Sequence, residues 1–261
     1  YIKLADETMR DLEIAEEGKW AVGRDGRAYI SDFAPATADI YRVDTTTGER
    51  TLMLRNHLTG AHLFGISADG RYYLYWHNDE VQAYDLDAGA SSKLGGDTAP
   101  SFINTEFDRA GPNPSYGVAG YTEDGSGVIM QHRYDLWVLP YDGADARNLT
   151  NGVGADNDIR FRYVQTVPDD EVGGGGRGGR GGGGRRKIDL SEPITLSAYG
   201  QWTKQAGFYE LDGADLSEIV YEDASFSTPR RAADAETFLF TRQTFVEFPD
   251  LRVSGPEFAD S

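Results

Sequence analysis

Four histidines, His57, His62, His77 and His132, are the side chains most able to move a proton or hold a metal near neutral pH. Their spacing does not match a metal-binding helix of the His-Glu-x-x-His type, and His77 falls where a hairpin turn is expected, so each reads as structural or exposed. A serine nucleophile would sit in Gly-x-Ser-x-Gly between a strand and a helix; Gly65-Ile66-Ser67-Ala68-Asp69 ends in aspartate and reads as a hairpin. The Asp-Gly runs lack the alternating oxygens and closing glutamate of a calcium loop, so Asp44, Asp87 and Asp142 read as turn formers. The glycines of 173–184 are not set between a strand and a helix as a phosphate cradle requires, and Gly-Lys-Ser or Gly-Lys-Thr is absent. Asn148-Leu149-Thr150 is a formal glycosylation acceptor that matters only in a secreted eukaryotic protein. No catalytic, cofactor-binding or metal-ligating residue is assigned, and no cofactor is expected.

Composition narrows the partners. With 43 acidic against 25 basic side chains the formal charge is −18, a field that repels nucleic acid and anionic membrane. Cysteine is absent, which excludes disulfides, a thiol nucleophile and thiolate metal sites. No apolar run reaches the length of a membrane span, so no membrane insertion is expected. The compartment stays open between cytoplasm and periplasm or exterior. Tyr1-Ile2-Lys3-Leu4 is neither a signal peptide nor a natural start, and 258–261 bring no closing element; the chain is expected to be part of a longer protein.

The elements that would have to position any site form a repeat. Ile66-Ser67-Ala68-Asp69-Gly70-Arg71-Tyr72-Tyr73-Leu74-Tyr75-Trp76 reads as a strand end, an Asp-Gly turn and an aromatic strand, followed by a polar turn and the strand 81–86. The pattern returns at 17–22 with 39–48 and at 123–130 with 135–143. Weaker copies lie at 197–202 with 207–213 and at 235–240 with 250–253. About five units of roughly 40 to 50 residues, each built from short antiparallel strands, are the signature of a β-propeller, whose blades bury faces that none could bury alone. The fold class expected is therefore all-β: a β-propeller of about five four-stranded blades forming an incomplete ring. Its terminal blades would expose apolar faces and promote aggregation.

In sequence order, the first unit (1–60) is expected to hold strands near 12–14, 20–22, 28–30, 40–43 and 50–54. The second covers 61–94. Residues 95–115 read as a loop returning Phe102, Ile103 and Phe107 to the core, and the third unit covers 116–149. The fourth begins at 158–164 and is interrupted by a flexible Gly/Arg-rich insertion at 171–187. Its two Arg-Gly-Gly triplets occur elsewhere in RNA-binding segments. Here they lack aromatics and sit in a protein that without the five basic residues there would carry −23, so a plain insertion is the better reading. The sheet is expected to resume at 194–196, 202–204 and 208–211, with a last unit from 218–221, 237–241 and 251–253, and a turn at 232–236.

Several of these segments, taken in order, resemble one family. Ser67-Ala68-Asp69-Gly70-Arg71-Tyr72 with Tyr84-Asp85-Leu86, then Tyr116-Gly117-Val118-Ala119-Gly120-Tyr121, Arg133-Tyr134-Asp135-Leu136-Trp137, Asn148-Leu149-Thr150-Asn151-Gly152 and Arg160-Phe161-Arg162, look like the propeller half of bacterial prolyl oligopeptidase-family serine peptidases. The resemblance runs from about residue 12 to 253. It implies that residues 1–261 are a propeller fragment, with a downstream α/β-hydrolase domain carrying a Ser, Asp, His triad that this chain lacks. Alone the chain would not be catalytic; its partner would be a peptide substrate reaching that missing domain. The Gly/Arg insertion and the low blade count depart from the family pattern. Two rival readings are a non-catalytic propeller that binds a protein or peptide, and a carbohydrate-active propeller enzyme, which would need two converging carboxylates.

Overall fold

The computed structural model describes residues 3–15, 18–166 and 186–256. Five sheets, antiparallel but for one edge strand, follow one another along the sequence. The first contains β1 (Leu12–Ile14), β2 (Trp20–Asp25), β3 (Thr37–Asp44) and β4 (Arg50–Leu58), and the second β5 (Leu63–Ile66), β6 (Tyr72–His77), β7 (Glu80–Asp85) and β8 (Ala90–Lys93). The third holds β9 (Val118–Thr122), β10 (Gly127–Gln131), β11 (Leu136–Pro140) and β12 (Arg147–Asn148). A single helical turn, α1 (Val153–Asn157), leads to β13 (Ile159–Tyr163), the first strand of the fourth sheet. Before that sheet continues, β14 (Lys187–Ile188) runs parallel to β9 at the edge of the third. The fourth sheet then adds β15 (Ile194–Gly200), β16 (Ala206–Asp212) and β17 (Asp215–Glu222). In the fifth, β18 (Ser225–Phe226) and β19 (Arg230–Arg231) pair with opposite ends of β20 (Phe238–Gln243), and β21 (Asp250–Ser254) pairs along its other side. No helix among the described residues is long and apolar enough to cross a membrane.

Local chemistry makes these turns. Asn78 and Asp79 both take positive φ, 51° and 64°, as the two-residue turn between β6 and β7 demands. Asp44 and Asp85 occupy equivalent places after β3 and β7, each accepting two backbone N–H bonds, from Thr46 and Thr47 and from Asp87 and Ala88. The turn-forming roles expected of Asp44 and Asp142 hold, the latter accepting from Ala144 N. Asp87 is different: Asp85 makes the turn, and Asp87 accepts the Trp20 indole N–H at 2.8 Å, tying the second sheet to the first.

Packing between successive sheets supplies the core. Ile40, Ile66, Tyr73 and Leu86 fill the space between the first and second sheets, and Leu74, Trp76, Val128 and Leu139 that between the second and third. Leu136, Leu149, Phe161 and Leu196 join the third to the fourth, and Phe208, Phe238 and Phe240 the fourth to the fifth. Each sheet is thus buried by its neighbours in sequence, which is the packing of propeller blades. The fold is a β-propeller, and among the described residues no hydrogen-bonded strand joins the first sheet to the fifth.

The two end blades differ. The outer side of the first is covered by the segment before β1, with Met9 and Leu4 packed on Ala21 and Val43. On the fifth, the register Leu239↔Val253 and Thr241↔Leu251 places apolar groups on one face, where Leu239 is 44% and Leu251 72% exposed. Replacing Leu239 and Leu251 by threonine is expected to reduce self-association in sedimentation velocity while changing stability by less than about 0.5 kcal/mol, because neither side group is buried. Unchanged association would show that this face is not the sticky one.

Several expectations need correction. Residues 28–30 are not a strand: Asp25 accepts both the backbone N–H and the guanidinium of Arg27, curling the backbone into a 3-10 turn over Arg27–Tyr29. Residues 202–204 form the turn between β15 and β16, with Lys204 at φ 65°. Residues 218–221 close the fourth sheet rather than open the fifth, because the backbone folds straight back at Gly213. His77 is the last residue of β6, paired with Glu80, and the turn lies beyond it. In the 95–115 loop Phe102 and Ile103 reach the core between the second and third blades, whereas Phe107 is half-buried outside it. Most of the expected insertion, residues 171–185, lies outside the described residues; its end does not, since Lys187 belongs to β14 and Ile188 is buried.

Candidate functional site

The sequence-expected positions are mostly structural. The Ser67 hydroxyl donates to the Asp69 carboxylate and accepts from Tyr72 N, which makes it part of the hairpin. Asn148 Oδ1 accepts the Thr150 N–H at 2.9 Å, and Thr150 itself is buried. His57, from β4, and His77, from β6, lie with ring centroids 5.3 Å apart, a pairing their separation in sequence conceals. Among the described residues no group of three or more His, Asp or Glu side chains is placed to hold a metal ion.

Burial lowers the pKa of His57, and the neighbouring His77 and His62 lower it further. Burial also lowers those of His62 and His132. A histidine depressed in the folded state leaves stability unaffected above the unfolded value of about 6.5, where both states are neutral. Below it the unfolded state binds the proton first, so stability falls with pH. The urea midpoint is therefore expected to drop between pH 7.5 and 5.5, well above the range in which the depressed carboxylates of Asp25, Asp39, Asp44 and Asp85 begin to count. His57→Gln should flatten this dependence; equal midpoints at the two pH values would contradict it.

Two places have geometry of functional use. One is a cavity of about 130 Å³ between the hairpins of the second and third blades, lined by Asp69, Thr122, Asp124, Gly125, Tyr141 and Lys187. The Tyr141 ring stacks on Tyr72 at 4.4 Å, and its hydroxyl is buried without a hydrogen-bond partner. A cavity of this size takes a few waters.

The other place is built from β13 outward. In Ile159-Arg160-Phe161-Arg162 the strand alternates, with Ile159 and Phe161 buried against the third blade and both arginines on the opposite face. β13 is an edge strand, and its free edge meets the turn 132–135 of the third blade, where Phe161 N donates to Tyr134 O at 2.7 Å. That turn is fastened by the buried Asp135, whose Oδ1 accepts from the Thr150 hydroxyl at 2.6 Å and from Gly154 N at 3.1 Å. Tyr134 adds a bond from its hydroxyl to Asp158 at 2.9 Å.

Basic groups converge at this junction. Arg162 donates through Nη1 to Phe161 O at 2.6 Å and through Nη2 to Arg133 O at 3.4 Å, and has no carboxylate partner among the described residues. Burial, followed by the nearby charge of Arg160, pushes its pKa down to about 10. Arg133 reaches Glu106 at 3.6 Å, and its Nε is buried without an acceptor. His132 lies beside Phe102 and Tyr116 with a buried, unpartnered Nδ1, and burial holds it towards neutrality against the pull of the Asp135 charge, with Arg162 and Arg133 adding to the effect of burial. A partly buried guanidinium that, among the described residues, makes no ion pair with a carboxylate is an arrangement suited to an oxyanion.

Sequence reasoning did not find this site. The one available signal was the Arg-Phe-Arg alternation on a strand, which places two cations on one face; Arg133 and Glu106 join them only through the tertiary fold.

No family model and no curated protein matches the chain. Solved structures do resemble it in shape. An oligogalacturonate lyase in complex with manganese aligns over 94% of this chain and 61% of its own, at 11% identity and a TM-score of 0.46. Dipeptidyl peptidase 4 of Porphyromonas gingivalis aligns over 97% of this chain and 39% of its own, at 10% identity and a TM-score of 0.49. TolB of Acinetobacter baumannii aligns over 95% and 52%, at 13% identity and a TM-score of 0.40. The 261 residues therefore span between about two fifths and three fifths of these proteins. At such identities the likeness concerns the fold alone.

Proposed function

We propose that residues 1–261 are the propeller part of a prolyl oligopeptidase-like serine peptidase and gate the access of peptides to a hydrolase domain outside this chain. The observation that carries this reading is the order of the family-like segments. Residues 67–72 form the hairpin of the second blade, 116–121 and 133–137 fall in the third, 148–152 lead into α1, and 160–162 lie on the first strand of the fourth. A rigid array of blades beside a catalytic face filters by size, and its loops place charge opposite a peptide. The test is to express the reading frame beyond Ser261 and compare a short fluorogenic proline-containing peptide with a folded protein containing the same sequence. Gating predicts cleavage of the peptide and at least tenfold slower cleavage of the folded protein. Equal rates would remove the gating role, and no cleavage of either would remove the peptidase.

A second reading, a propeller that binds a peptide without cleaving it, draws support from Arg162 and the loosely paired Arg133 between the third and fourth blades.

A further inference from the structure

We infer that Arg162 and Arg133 form a binding site for a carboxylate at the junction of the third and fourth blades. Three observations converge. First, the Arg162 guanidinium donates to two backbone carbonyls, Phe161 O and Arg133 O, and among the described residues it makes no hydrogen bond or ion pair with an acidic side group, Glu106 acting on it only from beyond contact distance. An arginine has five N–H groups in a planar fork that matches a carboxylate. Second, Arg133 holds its one acidic neighbour loosely, Glu106 at 3.6 Å, and both side groups remain about two fifths exposed, at 42% and 41%. An incoming carboxylate can displace Glu106 or share Arg133 with it. Third, the site is held rigidly: the 132–135 turn is bonded to β13 through Tyr134 O and to α1 through Asp135, so the two guanidinium groups are positioned before any ligand arrives.

The chemistry around the pair limits what binds. The pair is flanked by the ring of Tyr134, over which the Arg133 guanidinium lies at 5.1 Å, and by Tyr116 beside His132. Those rings would accept the apolar body of a ligand whose acidic end meets the arginines. A peptide carboxylate has this chemistry, either at the peptide's C-terminus or on a glutamate or aspartate within it. That the carboxylate belongs to a peptide rests on the function proposed above; carboxylate binding itself does not.

Binding to the 261-residue protein is measured calorimetrically with four probes: succinate, N-acetyl-trialanine, its amide, and the amide of N-acetyl-alanyl-glutamate. N-acetyl-trialanine should bind at least tenfold more tightly than its amide, and more weakly as ionic strength rises. Tighter binding of the glutamate peptide than of N-acetyl-trialanine would assign the site to an internal acidic residue, and the reverse order to a C-terminus; each outcome supports the inference. Arg162→Gln should cost at least tenfold in affinity with the far-ultraviolet spectrum unchanged. Glu106→Gln, a change at an exposed position, should tighten binding severalfold by removing the competing carboxylate. Equal binding of the acid and the amide, no binding of any probe, or an unaltered affinity in both variants would overturn the inference. Succinate binding in a protein whose extended product hydrolyses no peptide would leave this site standing and sink the peptidase reading. Hydrolysis with no carboxylate binding would do the opposite.

Discussion

Phe161→Ala is expected to destabilise the protein by about 4 kcal/mol. Phe161 is fully buried, sits among Leu136, Leu149 and Leu196, and meets the Tyr209 ring edge-on at 5.1 Å. It therefore contributes on both sides of the junction between the third and fourth blades. Removing its ring creates a cavity bounded by two sheets, neither of which can close in without disturbing strand pairing on both. Phe245→Ala provides the contrast, since that ring is entirely exposed and its loss should change stability by less than about 0.5 kcal/mol. Urea denaturation followed by tryptophan fluorescence would measure both. A loss below about 1 kcal/mol for Phe161→Ala would mean that the two blades are not packed as described.

Asp135→Ala is expected to cost about 3 kcal/mol and to weaken carboxylate binding as well. The substitution would leave the Gly154 N–H buried without its acceptor and the Thr150 hydroxyl with only its longer bond to Asn148 Oδ1 at 3.1 Å. Nothing larger than glycine fits at 154, where a Cβ would meet Asp135 Oδ1 and Ile159 O at 2.8 Å, so α1 is tightly docked on this carboxylate. Asp135→Asn keeps an acceptor oxygen of similar shape and should recover more than half of the lost stability. If alanine and asparagine were equally tolerated, the 132–135 turn would not depend on this fastening. The rigidity assigned to Arg133 would then fall with it.

The sequence made much of the architecture legible where the physics is local. Asp69-Gly70 and Asn78-Asp79 can adopt the backbone of tight turns, and the aromatic strand 72–76 suits a sheet, where it is covered on both faces by the neighbouring blades. Those signals were enough to recover the central hairpins of the second and third blades. Elements decided by distant contacts were not legible. β14 is two residues long and follows a glycine-rich stretch, so no periodicity announces it; it forms because Ile188 is buried against the third blade and Glu123 N donates to Ile188 O at 2.9 Å. β17 carries alternation that would serve either of two sheets, and the turn at Gly213 decides between them. The arginine site was hidden for the same reason. Arg162 was visible as a charge on a strand, but that it bonds the backbone carbonyl of Arg133 and, among the described residues, pairs with no carboxylate emerges only from the fold.

The central claim is that these blades serve a serine peptidase, and the most direct measurement is labelling of the product of the extended reading frame with a fluorophosphonate probe. The claim predicts one labelled serine beyond residue 261, with labelling and hydrolysis of a proline-containing peptide lost together. An extended product with no labelled serine and no hydrolysis would contradict it.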